Sequence, residues 1–360
     1  MKNLVFRVDS GFNIGSGHLM RCLTLANNLN KSAKYECTFI TRDHGGNFND
    51  LITLNGYKII LLKSSELNKK VNGFSEWLGT SQQVDAIQTL AVLKENCIEN
   101  IDILVVDHYA LDIHWEKQFR YISKKLVVVD DLANREHCCD IILDQNIAPN
   151  YAKRYDNLIP VNSKKYLGIS YCLLREDFLI AKASIKTRSK LSNIVIFFGG
   201  VDKDNATLKL LKFLNEKLAV FEVVNVIVGQ SNPFKDQIKE FCEKYDNCYY
   251  LEQVSNMAEI FSQSDLAIGA GGATTGERIF LGLPSIVFSL ADNQVEVSKY
   301  LHEKNYITFL GDQSEIETSS IISELDKYIN SPHLLKEQSM KLLAVGESKL
   351  SQLIQDIAID

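Results

Sequence analysis

Two short stretches of the chain combine residue types that could do chemistry. The first is Gly269-Ala270-Gly271-Gly272-Ala273-Thr274-Thr275-Gly276-Glu277-Arg278, set between an apolar run at 266–268 and a segment of helical character at 279–281. A strand that runs into glycines and then a helix start leaves backbone N–H groups unpaired at the positive end of a helix dipole, which suits a phosphate. Thr274 or Thr275 could cap that helix and also donate to a phosphoryl oxygen. Glu277, in the first turn, could accept two hydroxyls of a ribose. A plain strand-to-helix turn would need only the glycines. The coincidence of Gly271, Gly272, Thr274, Thr275 and Glu277 predicts a nucleoside-diphosphate cradle.

The second stretch is Gly15-Ser16-Gly17-His18, at the carboxyl end of a short apolar strand. A histidine in the first turn of a helix is favoured as neutral imidazole and is usable as a base, and the glycines let a ligand approach the backbone. Asp9, Asp107 and Asp131 also follow strand ends. Each could orient His18, bind sugar hydroxyls or merely cap a helix. Tyr109 offers a phenol to a sugar hydroxyl or an attacking water, although an aromatic in that place also suits a core. His44, His114, His302 and His333 lack companions in the sequence and are expected at the surface or at caps.

The elements that must position these residues alternate. Strands are expected at 4–8, 37–40, 57–62, 103–106, 126–129 and 141–143, separated by helices near 18–26, 48–54, 82–97 and from 113. Residues 146–192 read as irregular, with Pro149, Pro160 and a basic linker at their end. The alternation restarts with strands at 193–198, 223–228, 249–251, 266–268 and 284–288, and helices at 205–218, after Pro233 and up to 261, the last capped by Ser255. From 293 onward the chain reads as helical, apart from a strand near 307–310. Strands separated by helices imply mostly parallel sheets covered on both faces, an α/β class. The expected domains are 1–180 for the catalytic loop, a linker at 181–192, and 193–360 for the nucleotide. Gly15-x-Gly17-x-x-Met20 lacks the third glycine of the dinucleotide fingerprint, and G-x-x-x-x-G-K-[ST] is absent from the sequence.

A length of 360 residues with 46% apolar side chains supports two cores. Lys and Arg number 39 against 45 Asp and Glu, with no long basic run, which disfavours a nucleic-acid partner. The eight cysteines form no C-x-x-C pair, and adjacent Cys138-Cys139 lack the spacing of a zinc site, so no metal and no cofactor is expected. No run reaches the roughly 18 apolar residues of a membrane span. A cytoplasmic protein is expected, without stable membrane insertion, and a monomer is favoured although oligomeric state is open.

On these residues the chain resembles the UDP-2,4-diacetamido-2,4,6-trideoxy-β-L-altropyranose hydrolases of pseudaminic acid biosynthesis, related to spore-coat polysaccharide biosynthesis proteins and, more remotely, to the glycosyltransferase that completes lipid II. The resemblance rests on Arg7-Val8-Asp9, Ile14-Gly15-Ser16-Gly17-His18-Leu19-Met20-Arg21-Cys22, Val106-Asp107-His108-Tyr109 and Val129-Asp130-Asp131-Leu132-Ala133. Leu143-Asp144-Gln145-Asn146, Leu174-Arg175-Glu176-Asp177-Phe178, Phe198-Gly199-Gly200, the glycine turn, Leu281-Gly282-Leu283-Pro284 and Asn293-Gln294 continue it across roughly residues 1 to 310.

The resemblance implies a GT-B-like fold of two facing Rossmann-like domains with a UDP-sugar in the cleft, and metal-independent hydrolysis at the anomeric carbon. It makes His18 the base for the attacking water and Tyr109 a second group nearby. It puts Gly271, Gly272, Thr274, Thr275 and Glu277 on phosphate and ribose, and Asn293 and Gln294 along sugar and pyrophosphate; Gly15, Gly17, Asp9, Arg21 and Asp107 are expected to bind substrate as well. The family motif usually carries a tryptophan where this chain has Gly276, which removes packing beside the nucleotide. The last fifty residues lie outside the matched part. Two alternatives share the cradle: a GT-B glycosyltransferase using a UDP-amino sugar donor, and a non-catalytic nucleotide-sugar binder. The helix expected at 82–97 lacks the basic amphipathic character suited to a lipid acceptor, which favours water.

Overall fold

Runs such as Leu4-Val5-Phe6 and Val127-Val128-Val129 are buried throughout, the mark of strands covered on both faces. The computed structural model describes residues 1–63, 74–315 and 318–359. These divide into two compact units, one made of residues 1–146, 150–173 and 349–360, the other of 147–149 and 174–348.

The first unit contains β1 (Lys2–Val8), α1 (Gly17–Leu29), β2 (Tyr35–Arg42), α2 (Asp50–Leu54), β3 (Lys58–Leu62), α3 (Ser75–Leu78), α4 (Gln82–Glu95), β4 (Ile101–Asp107), α5 (Ile113–Glu116), β5 (Ser123–Val129), β6 (Ile141–Asp144) and β7 (Lys164–Leu167). Its strands are all parallel in the order β3-β2-β1-β4-β5-β6-β7. The order reverses between β1 and β4. Open α/β sheets hold ligands at such a switch point, outside the carboxyl ends of the strands. His18 follows β1 and Asp107 ends β4, so both lie at this crevice.

The second unit contains α6 (Glu176–Lys182), β8 (Asn193–Phe197), α7 (Ala206–Phe213), β9 (Val223–Val228), α8 (Lys235–Cys242), β10 (Cys248–Glu252), α9 (Met257–Gln263), β11 (Leu266–Ala270), α10 (Thr274–Phe280), β12 (Ser285–Ser289), α11 (Asp292–Glu303), β13 (Thr308–Asp312), α12 (Thr318–Asn330) and α13 (Pro332–Val345). The parallel order is β10-β9-β8-β11-β12-β13, with its reversal between β8 and β11. The turns Gly199-Gly200 and Gly271-Gly272 follow those two strands.

The structure departs from the sequence reading in several places. The stretch read as irregular holds β7 and α6. β7 is an edge strand whose Lys164 and Lys165 stay exposed while Tyr166 is buried, so it carries no apolar run to recognise. The cap of α9 is Asn256 rather than Ser255, without a side-chain hydrogen bond. The contact boundary falls after Leu173, short of the expected linker. The final helix, α14 (Leu350–Ile357), packs on the first unit, not with the 193–360 segment that precedes it.

The stripe Leu350, Leu353 and Ile357 explains that last placement, since it is buried in the core beside Leu4, Leu25 and Cys37. Lys125 Nζ donates to the carbonyls of Asp356, Ile357 and Ala358 at 2.8, 3.0 and 3.1 Å, satisfying the end of the helix. Asp356 also accepts from Lys164 and Tyr166. Leu353→Ala should therefore destabilise the chain by about 3 kcal/mol in denaturant unfolding. A loss below about 0.5 kcal/mol would show that α14 does not hold the first unit together.

Candidate active site

The loop between β1 and α1 closes on itself: Gly15 N–H donates to the Gly11 carbonyl at 2.7 Å, and Gly15 has φ +79°, where a side chain would be strained. Gly17 opens α1, and His18, Arg21 and Cys22 share one face of its first turns. All three meet Asp107. Its Oδ1 lies 2.6 Å from His18 Nδ1 and accepts from Arg21 Nη2 at 2.6 Å, while Oδ2 accepts from Arg21 Nε at 2.6 Å and from Cys22 Sγ at 3.5 Å. Burial alone would push the Asp107 carboxyl up, but Arg21 and His18 beside it hold it well below the usual range. An ionised Asp107 can only accept, so the contact favours the tautomer with its proton on Nδ1 and leaves Nε2 outside it. Among the described residues Nε2 makes no hydrogen bond.

Tyr109 and Asp131 extend the cluster. Tyr109 stands edge-on to the His18 ring, centroids 4.5 Å apart, and donates to Asp131 Oδ1 at 2.5 Å. Asp131 is in turn bound by Arg21 Nη1 at 3.0 Å. Burial, then Asp131, pushes the Tyr109 phenol well above its ordinary value, so it stays protonated and serves as a donor. Trp77 and Phe74 complete the surroundings, Trp77 lying 6.0 Å from His18 and stacked on Tyr109 at 5.4 Å. The sequence reading missed both. Their signal was two large aromatics in an otherwise polar connection, Phe74-Ser75-Glu76-Trp77, ahead of a helix.

Asp9 is placed differently. It is fully enclosed, accepting from Arg7 Nη1 at 2.5 Å, Arg42 N at 2.7 Å and Thr41 Oγ1 at 3.3 Å, with His108 Nε2 at 3.2 Å and His44 Nε2 at 3.5 Å. Arg7 and Arg42 also share Asp85, which accepts from Trp115 Nε1 at 2.9 Å. His44, expected to lack companions, therefore sits against a buried carboxylate. Among the described residues no group of three or more His, Cys, Asp or Glu is arranged to hold a metal ion.

In the second unit, α10 starts at Thr274 with Ala273 as its cap, and no side chain caps it. Neither threonine plays the expected capping part, because Thr275 Oγ1 is turned inward to accept from Arg278 Nη2 at 2.9 Å. The same guanidinium nitrogen donates to the Ala270 carbonyl at 2.6 Å, tying the helix back to the end of β11. Gly271 N–H is taken by the Phe288 carbonyl, whereas the N–H groups of Gly272, Ala273 and Thr274 have no protein acceptor among the described residues. A Cβ at Gly271 would come within 2.6 Å of Ser298 Oγ, which explains the glycine. Gln294 Nε2 lies 3.7 Å from the place of a Cβ on Gly272, while its Oε1 accepts from Leu290 N at 2.9 Å. Asn293 is half-buried in the first turn of α11.

Glu277 is the remaining polar group of this turn. Burial pushes its carboxyl up to about 7, with Arg175, whose Nε is 3.7 Å away, lowering it only in part. Arg175 itself lies over the Phe178 ring at 5.0 Å. Arg175 and Arg278 stand in motifs of the sequence that give neither a role.

Residues 194–356 match the glycosyltransferase family 28 C-terminal domain. The chain is 24% identical over 84% of its length to the UDP-2,4-diacetamido-2,4,6-trideoxy-beta-L-altropyranose hydrolase of Campylobacter jejuni, covering 97% of that protein. The family-level resemblance holds. An uncharacterised protein of Methanocaldococcus jannaschii is 27% identical over 81% of this chain, which spans only 56% of that relative. Among solved structures, Acinetobacter baumannii MurG superposes with a TM-score of 0.65 at 15% identity, covering 99% of both chains. That likeness shows the fold: two parallel-sheet α/β domains of the GT-B type.

The raised Glu277 carboxyl gives a stability signature. Folded protein keeps a proton there between about 4.5 and 7 that the unfolded chain releases, so the group's contribution is fully present below pH 4.5 and is lost as pH rises through about 7. A shift of that size corresponds to on the order of 3 kcal/mol at most. Relative to wild type, Glu277→Gln should gain stability on going from pH 4.5 to 8 in denaturant unfolding. A difference independent of pH would remove the buried-carboxyl account.

Proposed function

We propose that the chain hydrolyses a UDP-linked diacetamido-trideoxy sugar at its anomeric carbon, giving UDP and the free sugar, in the formation of a nonulosonic acid such as pseudaminic acid. The observation that carries this reading is His18, held by Asp107 through Nδ1 with Nε2 left without a protein partner. In the reaction, Nε2 takes a proton from water as the water oxygen bonds to the anomeric carbon. The bond from that carbon to the β-phosphate oxygen breaks, and its electron pair leaves with UDP. Asp107 keeps the ring in the required tautomer and stabilises the imidazolium that forms. Arg21 and Asp131 hold Asp107 and Tyr109 in place.

For the nucleotide, the unpaired N–H groups of Gly272, Ala273 and Thr274 and the amide of Gln294 are assigned to the diphosphate, and Glu277 to the ribose hydroxyls. The hydrolase activity for which the Campylobacter relative is named supports the hydrolase reading, as does the length over which the two chains align.

A transferase is the second reading, favoured by the match of residues 194–356 to a glycosyltransferase domain. Against it, α4 exposes Val84 and Ile87 but carries Lys94 as its only basic residue, a weak surface for an anionic lipid acceptor.

UDP release from UDP-sugars without any acceptor separates the two. His18→Ala should lower that release about 10³-fold with the fold intact by circular dichroism, and Asp107→Asn should lower it at least about 10²-fold. Release that appears only with an added sugar or lipid acceptor would establish the transferase, and undiminished release by the His18 variant would rule out the base.

A further inference from the structure

The rings around His18 form a wall that the reaction as described does not use. Trp77 meets His18 edge-on at 80°, lies 5.4 Å from Tyr109 at 28°, and is touched by the edge of Phe74 at 4.8 Å. His18 and Tyr109 are nearly enclosed in this cluster, but Trp77 and Phe74 both keep part of their surface exposed. The polar groups near His18 are satisfied among themselves: Asp107 by Arg21, and Asp131 by Arg21 and Tyr109. The rings of Trp77 and Phe74 therefore offer aromatic surface beside the imidazole, next to the partly exposed Ser16 and Gly17. Trp77 Nε1 has no acceptor among the described residues, so the wall also offers one N–H.

We propose that Trp77 is a specificity-determining residue, forming with Phe74 the wall of the sugar subsite beside His18 and selecting hexoses that present a deoxy carbon or an acetamido group to it. The inference rests on the reading of His18 as the group that faces the sugar. Apolar C–H surface of a sugar gains by covering these rings, whereas a hydroxyl placed against them loses its water without a new partner, weakening binding roughly tenfold. An acetamido group fits both features of the wall, its methyl on the ring and its carbonyl oxygen on Nε1. A hydroxyl in the same place offers no methyl.

The test uses calorimetry with UDP, UDP-glucose, UDP-N-acetylglucosamine and the 6-deoxy counterpart of the last. These give one pair differing at the acetamido group and one differing at the C6 hydroxyl. Wild-type protein should prefer the acetamido or the deoxy member of at least one pair about tenfold. Trp77→Ala should reduce that preference below threefold, Trp77→Phe, which keeps a ring but loses the N–H, should retain a deoxy preference and lose most of an acetamido preference, and UDP alone should bind all three proteins equally. Fluorescence gives a second readout, because the chain has two tryptophans and the other, Trp115, is fully enclosed. The preferred UDP-sugar, but not UDP, should change the emission of wild type, and the change should vanish in Trp77→Phe.

Equal affinities within both pairs for wild type, unchanged preferences in Trp77→Ala, or an equal loss of UDP binding in that variant would each overturn the proposal. If the preference collapses in Trp77→Ala while His18→Ala still releases UDP, the wall stands and the hydrolytic role of His18 falls. If His18→Ala is inactive and the preferences survive in Trp77→Ala, the wall falls and the hydrolase remains.

Discussion

The arrangement of the first unit depends on one buried carboxylate. Asp107 is completely enclosed at the end of β4, and an isolated charge there would cost several kcal/mol. Arg21 offsets that cost with two parallel hydrogen bonds of 2.6 Å, the planar geometry in which a guanidinium binds best. Because Arg21 and His18 are three residues apart on α1, the bond that neutralises Asp107 also fixes the rotation of the helix and so the direction of the imidazole. Folding of this end of the sheet and orientation of the imidazole are the same interaction. Truncating Arg21 would leave the carboxylate without its cation and would disturb His18 without touching it.

A second charged layer lies under the first. Arg7 and Arg42 balance Asp9 and Asp85, four enclosed groups of no net formal charge that join β1, β2 and α4. Arg7 holds the Asp9 carboxyl well below its usual range against the pull of burial, and burial lowers His108 despite the nearby carboxylate. Most of the strong donors of this layer are engaged, whereas Arg42 Nε is buried without a partner among the described residues. Asp144, at the end of β6, contrasts with Asp107: its burial and the charge of Asp131 outweigh Arg154 and raise its carboxyl to about 7. Asp107 and Asp144 thus differ in titration, an arginine gripping both oxygens of the first and one oxygen of the second.

How much of this was legible in sequence depends on the range of the signal. Apolar runs between turn residues revealed nearly every central strand, and the order of strands and helices fixed the class. His18, Asp107 and Tyr109 could be singled out because each follows a strand end, where the parallel sheet gathers side chains whatever their separation in the chain. Which aspartate would meet His18 was not legible: Asp9, Asp107 and Asp131 look alike in one dimension, and only the β1–β4 adjacency decides for Asp107. Trp77 was hidden because nothing local says which face of a four-residue helix turns toward a ring 59 positions away. β7 was missed for lack of an apolar run, and α14 because an amphipathic helix does not state which sheet it covers.

Gly276 shows the same separation between local and distant causes. A glycine inside a seven-residue helix should loosen it, by roughly 1 kcal/mol relative to alanine. Here the helix is clamped from within, since Arg278 reaches back to the Ala270 carbonyl and to Thr275 across the glycine. The cations and carbonyls that hold α10 all lie on its buried side, so its position does not require a ring at 276. The turn at Gly271 is likewise fixed by the Phe288 carbonyl and by the proximity of Ser298. The clamp therefore holds α10 without any side chain at 276, and the three unpaired N–H groups after β11 are presented by a backbone fixed from its buried side.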